Sequence, residues 1–126
     1  MLAKRRIEAF VPSRNPKKAR KFYEKVLGLK VTDLNEYALT LDANGITVRV
    51  TDVSSVPGFK PAPFTILGWE VPDIEKAVRG LKRRGVKFQR YPGMDQDALG
   101  IWASPGGSQV AWFKDTDGNV LSLSQQ

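Results

Sequence analysis

The sequence predicts an α+β fold: two βαβββ modules whose eight strands form a curved, mostly antiparallel sheet around a concave cavity, with the helices outside. Three observations predict it. Two short amphipathic helices carry complete start and stop signals, and their caps, Asn15 and Asp73, lie 58 positions apart. Each helix is preceded by one strand-like run and followed by three. The last two strands of each half flank a polar turn containing an Asn or Asp and a Gly. Residues 5–52 therefore read as module one, the Pro- and Gly-containing stretch 53–63 as a linker, and residues 64–126 as module two of a single domain.

In order along the chain, Ile7 to Val11 reads as the first strand and leads into the first helix. Asn15 can accept from orphan amides, Pro16 sits at the first helical position, and Gly28 supplies a left-handed stop. Ala19, Phe22, Tyr23, Val26 and Leu27 recur at helical spacing, which leaves Lys17, Lys18, Lys21 and Lys25 toward water. Lys30 to Asp33 follows as a strand. Tyr37 to Leu41 and Ile46 to Thr51 make a hairpin across Asp42-Ala43-Asn44-Gly45. The second half repeats the pattern. Phe64 to Val71 is a strand; the next helix is capped by Asp73, buries Ile74, Ala77, Val78 and Leu81, and stops at Gly85. Val86 to Arg90 is expected as a strand, residues 91–108 as a long loop bordering the cavity, and Gln109 to Phe113 and Val120 to Leu123 as the final pair.

Composition narrows the chemistry. The chain has 126 residues and contains neither histidine nor cysteine, which excludes Ser-His-Asp and cysteine nucleophiles, disulfides, thiolate sites and histidine-held zinc or iron. Any metal would need oxygen ligands alone. Net charge is +7, of which residues 1–30 carry ten Lys or Arg against Glu8 and Glu24. A second basic cluster runs from Lys76 to Arg90. Both map largely to the outer faces of helices without interleaved aromatics, so nucleic acid is a disfavoured partner. No apolar run is long enough for a membrane span or a signal peptide, which makes the cytoplasm the default location. Asp115 and Asp117 read as turn formers, Asp95 and Asp97 as weak oxygen donors for a cation, and Gly106-Gly107 lacks the Lys-Ser or Lys-Thr of a phosphate loop.

Phe22-Tyr23 followed by Val26-Leu27-Gly28-Leu29, the turn Asp115-Thr116-Asp117-Gly118-Asn119, and Val71-Pro72-Asp73 at the entry to the second helix together resemble the vicinal oxygen chelate superfamily. That superfamily includes glyoxalases, extradiol dioxygenases and bleomycin-resistance proteins. The resemblance implies a concave ligand cavity and a homodimer. It also implies four cavity-facing positions that hold a divalent metal in the enzymes, and these fall here on Glu8, Arg49, Ile66 and Ser122. Only Glu8 is an ordinary ligand, so neither a metal nor another cofactor is expected.

In place of a metal, the guanidinium of Arg49 can supply positive charge while Glu8 pairs with it. The pair reads either as ligand-contacting or as a structural or solvated ion pair. By strand alternation the same face includes Phe10, Thr47, Thr51, Phe64, Gly68 and Glu70. Trp102 and Trp112 offer flat walls and Tyr91 a phenolic donor, though each equally suits a core. Gly68 marks the approach of a ligand or another backbone, or relief of curvature. The expected function is metal-independent binding of a small anionic or aromatic molecule. The alternatives are a metal-free isomerase or lyase with Glu8 or Glu70 as base and Arg49 as electrophile, and an interaction module using the basic helices.

Overall fold

The computed structural model describes residues 1–126 and divides into two compact units, Met1–Lys60 and Pro61–Gln126. Unit one contains β1 (Glu8–Ser13), α1 (Pro16–Arg20), a π-helical continuation (Lys21–Val26), β2 (Lys30–Leu34), β3 (Ala38–Ala43) and β4 (Ile46–Asp52). Unit two contains β5 (Thr65–Glu70), α2 (Ile74–Arg83), β6 (Trp102–Ala103), β7 (Gln109–Lys114) and β8 (Val120–Gln125). Each unit has one four-stranded mixed sheet, ordered β1-β4-β3-β2 and β5-β8-β7-β6. In both, the outer strand that precedes the helix pairs in parallel with the last strand, and the other pairs are antiparallel. The expected α+β fold of two βαβββ modules is present, with its eight strands shared equally between two sheets.

Local chemistry sets these elements. Asn15 Oδ1 accepts from the Lys18 amide at 3.2 Å, and Asp73 Oδ1 from the Lys76 amide at 3.1 Å, so each cap satisfies a donor that the helix start leaves free. The first helix departs from the expected single α-helix. After Arg20 it widens into a π-helix, in which the Leu27 amide donates to the Phe22 carbonyl at 3.0 Å. Within it Tyr23 is completely buried, while the adjacent Phe22 is half-buried with its ring edge-on to that of Tyr23 at 5.5 Å. Asn44 and Gly45 both have positive φ, 52° and 91°, which closes the β3–β4 hairpin with a two-residue loop and pairs Ala43 with Ile46.

Each sheet buries one face beneath its helix. In unit one, Val11, Leu39, Leu41, Val48 and Val50 are buried together with Ala19 and Tyr23, and α1 packs on β3 and β4. In unit two, Ala111, Phe113, Leu121 and Leu123 are buried together with Ile74 and Val78. Alternation then sends the intervening residues to the helix-distal face of the same sheet.

One expected strand is corrected. Residues 86–90 form only a single bridge, Phe88 to Phe113, while the strand at the outer edge of β7 comes from Trp102–Ala103, within the stretch read as loop. The edge of β7 is shared: Phe88 and Gln89 pair beside Trp112 and Phe113, and Trp102 and Ala103 pair beside Gln109 and Val110. Val86 and Phe88 are buried, so their alternation reports burial correctly without a full hydrogen-bond ladder. No helix is long and apolar enough to cross a membrane.

Candidate functional site

The helix-distal face of the first sheet carries a polar cluster. Register places Glu8 opposite Thr47, and Phe10 and Thr40 on either side of Arg49. Arg49 Nη2 donates to Glu8 Oε1 at 3.2 Å and Nη1 to Thr40 Oγ1 at 3.4 Å. The Arg49 and Glu8 side chains are 40% and 48% exposed, and Phe10 is 62% exposed. The guanidinium is therefore oriented by two partners yet open to solvent, with an aromatic ring on the neighbouring strand. A pair this exposed adds only about 0–1 kcal/mol to stability, since water screens it and two long side chains lose freedom.

The equivalent face of the second sheet is aromatic. Register aligns Gly68, Ser122 and Trp112 across β5, β8 and β7, and the next same-face row holds Glu70, Ser124, Val110 and Trp102. Trp112 lies 6.1 Å from Trp102 and 5.5 Å from Tyr91, the latter edge-on. All three rings are half-buried. Burial pushes the Tyr91 phenol above its ordinary range. Ile66, half-buried, stands at an irregularity of the β5–β8 register between Thr65 and Leu67, while Leu67 and Trp69 pair with the buried Leu121 and Leu123 on the opposite face, where Trp69 stacks on Phe113 at 6.5 Å.

Gly68 has its explanation in this row. A β-carbon there would stand 2.5 Å from Ser122 Oγ, so the glycine makes room for its neighbour on β8.

Neither Thr40 nor Gln96 is among the residues expected from the sequence. Thr40 follows from the two-residue hairpin, which fixes it opposite Arg49. Gln96 gives no local signal, because its partners come from both ends of the loop. Its Nε2 donates to the Gln89 and Gly100 carbonyls, both at 2.9 Å, and its Oε1 accepts from the Tyr91 amide at 2.7 Å. That one side chain holds the segment that sets Tyr91 against Trp112. Asp97 Oδ1 accepts from the Leu99 and Ile101 amides at 2.9 Å, and Asp115 accepts from the Asp117 and Asn119 amides and from Asn119 Nδ2. Both carboxylates shape turns.

The donor set does not fit a metal. On β1 and β4, the one ordinary ligand, Glu8, accepts from the fixed cation Arg49; on β5 and β8, the equivalent positions are Ile66, with no donor atom, and Ser122. Nowhere do three carboxylates, histidines or cysteines converge.

A repeated βαβββ unit with two oppositely furnished sheet faces defines a class of small two-module α+β proteins. The model of the Glyoxalase/Bleomycin resistance protein/Dioxygenase superfamily matches residues 6–123, and the chain belongs to that superfamily. No curated protein sequence matches it. Among solved structures, it is similar to a superfamily member from Sphaerobacter thermophilus DSM 20745, at 24% identity and TM-score 0.73 over 100% of both chains. It is also similar to TnmS3, an antibiotic binding protein from Streptomyces sp. CB03234, at 21% identity and TM-score 0.70, covering 99% of this chain and 98% of that one. A third is lactoylglutathione lyase from Agrobacterium tumefaciens, at 14% identity and TM-score 0.71, covering 99% and 96% respectively.

Proposed function

We propose that this protein binds a small anionic or aromatic molecule without a metal. The observation that carries the reading is Arg49: a guanidinium held by Glu8 and Thr40, partly open, beside the exposed ring of Phe10. Arginine presents several donors in one plane, so a carboxylate or enolate can take those left over while its apolar body lies on Phe10. The aromatic face of unit two, Tyr91, Trp102 and Trp112, suits a planar ligand. Fold likeness alone does not choose between roles, since it extends both to an antibiotic binding protein and to a lyase. The residues favour binding, because the carboxylate best placed to act as a base, Glu8, already accepts from Arg49.

A homodimer belongs to this reading and is checked by light scattering. The ligand chemistry is tested by calorimetry after treatment with a chelator, using 2-naphthoate and its neutral amide as probes. Naphthoate is expected to bind more tightly than the amide, and Arg49→Ala to abolish that preference while moving the unfolding free energy by no more than about 1 kcal/mol. Equal binding of the two probes, or a preference that survives in Arg49→Ala, overturns the assignment.

A further inference from the structure

Unit two has an open groove of about 480 Å³ on a part of its surface that the proposed site does not use. It runs from the end of α2 to the loop before β6. Lys82, Lys87 and Arg90 supply its charge, Val86, Phe88 and Leu99 its apolar lining, and no acidic side chain lines it. The volume is in the range of small-molecule sites.

Its walls are built. Arg90 Nη2 donates to the Gln96 and Asp97 carbonyls at 3.1 and 2.9 Å, which ties the guanidinium to the turn that presents Leu99. The adjoining carboxylate, Asp97, is taken up by the Leu99 and Ile101 amides and is not turned to the lysines. The positive charge of the groove is thus left for a ligand. Lys82 lies in the last turn of α2, where a cation is also favoured by the helix dipole, but that effect does not reach to Lys87 and Arg90 beyond the helix. Phe88 is buried against Phe113, with centroids 5.5 Å apart, so the groove offers no free ring face for stacking. Val86 is buried as well, so the apolar side chains left open to a ligand are Ala98 and Leu99, which suit a short aliphatic body.

We propose that this groove is a second binding site, for a free small molecule consisting of a short alkyl chain that ends in a carboxylate or phosphate. The anionic end sits among Lys82, Lys87 and Arg90, and the chain lies along Ala98 and Leu99. The groove has the volume of one small molecule, which favours a free ligand over a membrane surface.

The test is an amide chemical-shift titration of the whole chain with octanoate, octanol, octylammonium, inorganic phosphate and phosphatidylglycerol vesicles. Octanoate is expected to shift the amides of residues 85–88 and 98–99 saturably, with weakening by salt. In the double variant Lys82→Ala, Lys87→Ala, its affinity falls about tenfold while the rest of the spectrum stays in place. Arg90 is left intact in that variant because it supports the loop. Arg49→Ala keeps octanoate binding in the groove, which separates this site from the one in unit one. The proposal is overturned if octanol or octylammonium binds as tightly as octanoate, or if inorganic phosphate alone does. It also fails if octanoate shifts map to the Arg49 or Trp112 faces, or if vesicles bind in preference to free octanoate.

Discussion

A single missing side chain decides the middle of the second sheet. Gly68 lies in an ordinary strand, so nothing in its backbone demands glycine; what demands it is Ser122 Oγ, 2.5 Å from where a β-carbon would sit. Gly68→Ala requires the terminal Oγ of Ser122 to swing to another rotamer beside an exposed stretch of strand, and is expected to cost no more than about 1 kcal/mol in urea unfolding. In a Ser122→Ala background the obstructing oxygen is gone, and the same change becomes neutral or stabilising, because alanine loses less chain entropy than glycine on folding. The cycle should therefore show a coupling of about 0.5–1 kcal/mol between the two positions. Additive effects would mean that the glycine serves something other than Ser122. The sequence marks the position as unusual, yet the partner across the sheet depends on the β5–β8 register, which no local pattern specifies.

At the scale of elements, legibility follows how local the determinant is. The helix caps, the Asn44-Gly45 turn and the Asp115 turn are each set by residues within five positions of one another, and all are readable from the chain. The π-helical stretch and the strand at Trp102–Ala103 are not. The first begins without a side-chain cap or any other local signal, and the second depends on which segment reaches the free edge of β7. Gln96 holds Gln89, Tyr91 and Gly100 together across twelve residues of loop between the two segments that reach that edge. Gln96→Ala removes three hydrogen bonds from partly buried partners. At about 0.5–1.5 kcal/mol each, the loss should be about 2 kcal/mol. Hydrogen exchange at Tyr91 should rise, because its amide loses its acceptor, and tryptophan emission should change as Tyr91 leaves Trp112. Protection at Tyr91 equal to that of the unmodified chain would show that Gln96 is not what orders the segment.

Across the whole molecule, the two modules keep one topology and furnish it in opposite ways. Equivalent rows hold Phe10, Arg49 and Thr40 in one sheet, and Gly68, Ser122 and Trp112 in the other. The candidate face and the pairing of Glu8 with Arg49 could be read from alternation because each buried row leaves a complementary exposed row, whereas the bond from Arg49 to Thr40 required the structure. This distribution bears directly on metal. A divalent cation needs several anionic or neutral donors at one point, but the chain has no histidine or cysteine, its carboxylates do not cluster, and Glu8 already faces a guanidinium. A ligand that binds the folded state raises the melting temperature with its concentration, so a resident metal would be visible as a shift. Dialysis against a chelator, followed by titration with zinc, nickel, manganese or magnesium, is expected to leave Tm within about 1 °C. A saturable rise with any of them, lost on Glu8→Gln, would place a cation on the very carboxylate that Arg49 holds and would return the site to metal chemistry. The absence of any shift, combined with a naphthoate preference that depends on Arg49, would instead tie the charge requirement of this fold to a side chain of the first module.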